Sequence, residues 1–236
     1  MGYTGGMRTL AIGDIHGCSY LLDALLAAAS PTPDDLVVFL GDYVDRGPDS
    51  RGVLDRVIAL GLTHRVVGLR GNHEIMMLRA RTDASWYRTW SQCGGLQTLG
   101  SYGANPGRTG TLADVPEAHW KFMAETCGDW YETADAVFVH ANLAPGVPME
   151  EQAEQMLFWE PLSREKPIHH AGGKLAVCGH AAQKSGEILD LGTAVGIDTF
   201  AYGGGRLTCL HVESGHYWQA DALGRIHEGD RDGGTP

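Results

Sequence analysis

Three short polar segments concentrate the residues able to do chemistry: Gly13-Asp14-Ile15-His16-Gly17, Gly41-Asp42-Tyr43-Val44-Asp45-Arg46-Gly47 and Gly71-Asn72-His73-Glu74. Two later segments, Val139-His140-Ala141 and Cys178-Gly179-His180, add a histidine each. Asp14, His16, Asp42, Asn72, His140 and His180 together offer carboxylate, imidazole and carbonyl donors without a thiolate. Such a set suits manganese, iron or zinc rather than a soft metal. Asp14 and His16 stand two apart, so an extended strand end turns both to one side. Two cations about 3.5–4 Å apart need a shared ligand, and a bridged pair is the usual clamp for in-line displacement at phosphorus. Asp42 lies centrally in the set and is the natural bridge. A lone Asp or His at a strand end is more often a turn or capping residue; the ordered set carries the argument here.

The elements that must position these residues are also legible. Each segment follows a short apolar, largely β-branched run: Thr9–Ile12, Leu36–Leu40, Val66–Leu69, Ala136–His140 and Leu175–Cys178, with further runs at Ala194–Asp198 and Leu207–Val212. Helical patterns fill Tyr20–Ala29 behind Ser19 and Val53–Leu60 behind Ser50, both serines reading as caps. Strand–helix–strand–helix order predicts parallel strands with crossover helices. The carboxyl ends of parallel strands line one crevice, so the three polar loops converge. From Leu175 onward, strand signals joined by Gly-rich turns predict a mostly antiparallel sheet. The expected fold class is α/β: a two-sheet β-sandwich flanked by helices, with a helical cap inserted around residues 75–131. One domain is expected over 7–220, with flexible ends at 1–6 and 228–236.

Composition narrows the function. The net charge is −11 and no basic stripe is present, which argues against a nucleic-acid partner. Five cysteines, scattered and odd in number, argue against a disulfide scaffold and fit a reducing compartment. The N-terminus has no charged segment followed by an apolar run, and the apolar stretches are too short to span a bilayer. A cytoplasmic protein with no membrane partner is expected. Neither Cys-x-x-x-x-x-Arg, Asp-x-Asp-x-Thr nor Gly-x-Ser-x-Gly occurs, which removes cysteine-phosphatase, aspartyl-phosphate and serine-esterase chemistry.

Taken in order, Gly-Asp-x-His-Gly, Gly-Asp-x-Val-Asp-Arg-Gly and Gly-Asn-His-Glu, followed by Val139-His140-Ala141 and Cys178-Gly179-His180, resemble the signature of the serine/threonine phosphoprotein phosphatases, within the calcineurin-like metallophosphoesterases. The likeness runs over roughly residues 8–212 and is nearest the short bacterial and phage members. It implies a four-layer αββα fold and two divalent metal ions, with manganese the first expectation and iron or zinc the alternatives. By the same resemblance, Asp14 and His16 hold the first metal, Asp42 bridges, and Asn72, His140 and His180 complete the second. A hydroxide bridging the two metals then attacks phosphorus directly. His73 protonates the leaving alkoxide, Asp45 holds His73, and Arg46 binds the phosphoryl oxygens. The implied substrate is a phosphorylated protein, at phosphoserine, phosphothreonine or phosphotyrosine, or a small phosphoester.

Two departures stand out. Gly179-His180-Ala181 replaces the family's Gly-His-Thr, removing a hydroxyl beside a ligand. A second phosphate-binding arginine usually follows a Leu-Trp pair; here Phe158-Trp159 leads into Glu160-Pro161, and the nearest arginine is Arg164, taken as a second substrate clamp. A diadenosine tetraphosphate hydrolase, or another nucleotide or diester hydrolase, is the alternative on the same site. Those enzymes typically depart from Val-Asp-Arg-Gly and carry Gly-Asn-His-Asp, whereas Asp45 and Glu74 are kept here. A catalytically silent phospho-binding module is disfavoured by the complete ligand set.

Overall fold

The computed structural model describes residues 7–103, 108–165 and 168–231. The six-residue end at 1–6 lies outside them. Among the described residues eleven strands form two sheets. The first sheet is ordered β11-β10-β9-β1-β2-β3, from β1 (Thr9–Ile12), β2 (Leu36–Phe39), β3 (Arg65–Gly68), β9 (Arg206–His211), β10 (His216–Asp221) and β11 (Ile226–Asp230). The second runs β4-β5-β6-β8-β7, from β4 (Trp130–Glu132), β5 (Ala136–Val139), β6 (Leu175–Cys178), β7 (Leu189–Asp190) and β8 (Ala194–Gly196).

Both sheets are mixed. β1, β2 and β3 are parallel neighbours, and β9–β10–β11 add antiparallel pairs on the other side of β1. From Leu175 onward most pairs are antiparallel, as expected, the exception being β6, which pairs in parallel with both β5 and β8. The reason lies in burial: β5 and β8 are buried throughout and β6 in three of its four residues, as suits central strands covered on two faces. Of the tail expected to be flexible over 228–236, residues 228–230 instead belong to β11, which pairs with β10, and 232–236 lie outside the described residues. That pairing gives backbone partners to an otherwise open edge.

Ala11, Val38, Leu40, Phe138, Val177, Val195, Ile197 and Leu210 fill the space between the sheets. Helices α1 (Ser19–Ala29) and α2 (Ser50–Leu60) cover the outer face of the first sheet. Their caps differ from expectation. Asp49, not Ser50, caps α2 through Gly52 N, and the Ser19 hydroxyl donates to Asp49 at 2.5 Å. Ser50 is thereby free to accept from Asp45 N at 3.0 Å. Helices α3 (Asn72–Ala80), α4 (Ala84–Trp90), α5 (Leu96–Ser101) and α6 (Glu117–Lys121) make up the insertion, with π-helical turns at Ser91–Gly95 and Phe122–Thr126. The helical part ends there, since Trp130–Glu132 is an edge strand. Outside the second sheet lies α7 (Glu154–Phe158). Among the described residues no helix is long and apolar enough to cross a membrane.

Candidate active site

Asp14, Asp42 and Asn72 follow the carboxyl ends of β1, β2 and β3, and His140 and His180 those of β5 and β6. The loops that present them are tightly wound. Among the described residues seven non-glycine positions have positive φ, and six belong to this region: His16, Asp42, Asp45, Arg46, His180 and Phe200. Left-handed backbone costs about 1–3 kcal/mol at a non-glycine residue, and its clustering is typical of sites held by their surroundings.

Asp42 is where the loops meet. Its carbonyl accepts from Ile15 N at 3.1 Å and His16 N at 2.8 Å, and its Oδ1 accepts from His73 N at 3.1 Å. Glu74, fully buried, accepts from four backbone N–H groups: Asp42 and Gly71 at 2.8 Å, Tyr43 at 2.9 Å and Val44 at 3.2 Å. Burial, then the nearby Asp42, push its carboxyl up to about 8 against those four donors. A Cβ at Gly71 would meet Asp42 Oδ1 at 2.0 Å, so only glycine fits there.

Two groups of donor atoms lie within 4.8 Å of one another: His16, Asp42 and His73, and Asp42, His140 and His180. Asp42 belongs to both. Three of the four histidines are anchored by one ring nitrogen to a backbone carbonyl: His16 Nδ1 to Val44 O at 2.8 Å, His140 Nδ1 to Leu40 O at 2.8 Å, and His180 Nε2 to Trp159 O at 3.3 Å. Each then carries the proton on that nitrogen and turns the other one inward as a lone pair, the second-nitrogen pattern of metal-binding histidines. His140 Nε2 lies 3.1 Å from Asn72 Oδ1 and 3.5 Å from Asp42 Oδ1. Asp14 sits beside the groups, its carboxylate turned to His180 N at 3.1 Å.

Electrostatics divide the histidines by role. Burial pushes His16 and His180 below the ordinary imidazole value and His140 down to about 4, so all three stay neutral. Burial opposes charge on His73 too, but Asp42 and Asp45 outweigh it and raise it. Burial likewise disfavours charge on Asp42, yet the charged His73 beside it helps hold its carboxyl well below the usual range.

His73 Nδ1 donates to Asp45 Oδ2 at 2.6 Å. Asp45 also accepts from Trp90 Nε1 at 2.9 Å and Thr98 Oγ1 at 2.7 Å, both from the helical insertion. Burial raises Asp45, and the bonds to His73 and Thr98 pull it back. Arg46 donates from Nη1 to His16 Nε2 at 2.9 Å, and its guanidinium lies 4.6 Å above the Tyr202 ring, which meets His16 edge-on at 5.0 Å. The π-helical turn brings Gly94, φ 116°, against Arg46, whose N–H donates to Gly94 O at 3.3 Å.

Arg164 is not brought to this cluster. It is exposed and lines a groove with Asp190, Gly192, Tyr217 and Arg231. The expectation that Arg164 clamps substrate is therefore corrected: Gly192 lies before β8, at the end of that strand opposite Ile197 and Asp198. His170 pairs with Glu132 at 3.0 Å, away from the cluster's ligands. Conversely, Trp90, Thr98, Trp159, Asp198 and Tyr202 enter the site without having been singled out. Only Asp198 carried a signal, since it ends an apolar run just as Asp14 and Asp42 nearly do.

A sequence profile of the calcineurin-like phosphoesterase family matches residues 7–184. Curated relatives include symmetrical bis(5'-nucleosyl)-tetraphosphatases from Pectobacterium atrosepticum, 48% identical over 61 residues, and Photorhabdus laumondii, 52% identical over 62. Each match covers 25% of this chain and 22% of the relative, so the chain spans about a fifth of the curated relatives it matches. Similar solved structures include a putative diadenosine tetraphosphatase (TM-score 0.65, 21% identity, 96% of this chain and 95% of that one). A protein serine/threonine phosphatase from Saccharomyces cerevisiae is similar too (TM-score 0.63, 16% identity, 97% of this chain and 81% of that one). Profile, fold and donor set agree that this chain belongs to the calcineurin-like phosphoesterases, a family of metal-dependent hydrolases.

Proposed function

We propose that the chain hydrolyses phosphate monoesters, foremost phosphoserine and phosphothreonine in proteins. The observation carrying this reading is the His73–Asp45 pair set against Asp42, which both donor groups share. The inward-facing nitrogens of His16, His140 and His180, with Asp42, Asp14 and Asn72, fit two divalent cations of the manganese, iron or zinc class. Such cations, when bound, polarise the phosphoryl oxygens and activate a water for in-line attack.

The chain's own residues account for the rest. Arg46 extends a planar guanidinium into the cluster, suited to holding phosphoryl oxygens. His73, kept protonated by Asp42 and Asp45, donates its Nε2 proton to the departing oxygen. A serine or threonine alkoxide is a basic leaving group that needs such an acid. A nucleotide phosphate is a far weaker base that does not. This contrast favours the ester reading.

The names of the bis(5'-nucleosyl)-tetraphosphatase relatives favour a second reading, hydrolysis of a dinucleoside polyphosphate at the same site. The test uses protein stripped of metal and reloaded with manganese, beside an Asp42→Asn control. Substrates are a phosphoserine/phosphothreonine peptide, a phosphotyrosine peptide, a diadenosine polyphosphate and an aryl phosphodiester. Manganese-dependent peptide turnover, abolished in the control, supports the first reading. Preferential cleavage of the dinucleotide replaces it with the second.

A further inference from the structure

The loop after β8 carries a buried carboxylate with no place in the six-residue ligand set. Asp198 is 1% exposed. Its backbone carbonyl accepts from Gln183 N at 2.8 Å, and its Oδ1 accepts from Phe200 N at 3.0 Å. The Phe200 contact orients the side chain. Phe200 is held at φ 66°, a costly setting for an aromatic residue. The other oxygen, Oδ2, is buried and meets no hydrogen-bond donor among the described residues.

Its neighbour is the carboxylate of Asp14, which is also buried and also an acceptor. Two neighbouring carboxyl groups away from water need either a shared proton or a cation between them. His16 Nε2 lies 3.3 Å from Asp42 Oδ2, and Asp42 is close enough to act electrostatically on both Asp14 and Asp198. From this arrangement we infer that Asp198 is a further acidic group of the first metal site, presenting Oδ2 to the cation held by Asp14 and His16, directly or through one water.

The inference rests on the two-cation reading above and adds a seventh side chain to it. The left-handed turn at Phe200 is what aims its N–H at the carboxylate. Asp198 gives the first site three carboxylates against the second site's one, so the two cations sit in unequal fields. The Asp14 side is the harder and more anionic, suited to manganese over a softer ion.

The experiment is a manganese titration of metal-free protein by calorimetry, with bound metal counted by elemental analysis. It compares wild type, Asp198→Asn and Asp42→Asn. Wild type is expected to take up two equivalents. Asp198→Asn should keep one site unchanged and bind the other about 10–100-fold more weakly, the usual effect of losing a supporting group. Two dissociation constants within about 3-fold of wild type would overturn the role of Asp198 and leave the two-cation reading standing. Wild type binding fewer than two equivalents would overturn both. Should Asp198→Asn fail to fold, a crystal structure of manganese-loaded wild type decides from the anomalous signal. Oδ2 within about 4.5 Å of a manganese peak, the reach of one bridging water, supports the inference. Oδ2 beyond that distance sinks it.

Discussion

Replacing Asp45 by Asn tests whether the buried pair at the site is an acid and its holder or only packing. Asp45 accepts the His73 Nδ1 proton at 2.6 Å while Trp90 and Thr98 fix the same carboxylate. Asparagine keeps the shape and removes the charge. A hydrogen bond between charged groups contributes about 1.5–3 kcal/mol, which at about 1.4 kcal/mol per pH unit lowers His73 by about 1–2 units. The sign follows from the direction already described: His73 is raised by Asp42 and Asp45, so losing Asp45 leaves less of it protonated at neutral pH. The descending limb of the kcat profile should therefore move to lower pH by that amount. An alkyl phosphate, whose leaving group needs the proton, should lose about 10–100-fold at neutral pH, within the range of general acid catalysis. An aryl phosphate with an acidic phenol should lose less than about 3-fold. The assay is steady-state turnover of a phosphoserine peptide and p-nitrophenyl phosphate across pH, with manganese saturating. Equal losses on both substrates, with the pH limb unmoved, would refute the assignment of His73 as acid and reduce Asp45 to a structural part.

Arg164→Ala should leave kcat/KM for any phosphoester within about 2-fold of wild type, since the side chain lines a groove away from the cluster; a 10-fold rise in KM would return it to the site. Glu74→Gln turns an amide N–H₂ onto two of the four backbone N–H groups that Glu74 now accepts, and should cost about 2–5 kcal/mol in denaturant unfolding. A loss under 1 kcal/mol would mean that the carboxyl is already protonated there. Arg8→Ala removes the guanidinium paired with buried Asp35, whose carboxyl it helps hold well below the usual range, and should cost about 2–3 kcal/mol at pH 7. Because the folded state holds that proton more weakly than the unfolded, the difference from wild type should shrink as pH falls below about 4. A gap unchanged down to pH 2 would show that the pair contributes through packing alone.

Much of this molecule could be read from the chain because its chemistry is organised locally. Asp14 and His16, or Asn72, His73 and Glu74, sit within a few residues at strand ends, and the alternation of short strands with helices carries them to one edge. The parts that escaped are held by distant partners. Trp90 and Thr98 reach Asp45 across 45 and 53 positions, and nothing about an aromatic or a threonine in a helical stretch announces a carboxylate partner. The Trp159 contribution is a backbone carbonyl, invisible to any pattern of side chains. The parallel pairing of β6 was hidden because β5, β6 and β8 return through loops and a short hairpin rather than through a long helix. Arg164 misled for the opposite reason: its place after Trp159 fitted the expected order, but proximity in sequence did not carry it to the crevice.

The wound loops bear on how such a protein changes over generations. Arg46, at φ 67°, and Asp45, at φ 73°, occupy backbone settings that glycine would adopt without strain. Each is a position where the folded chain would be more durable if its chemistry were given up. A lineage under pressure only to survive heat should drift toward glycine at these two places and fall silent. One that must keep turning over substrate has to retain both the awkward residues and the packing around them. Durability and activity draw on the same few backbone angles, so heat-selected variants, sequenced and assayed, should reveal the exchange directly.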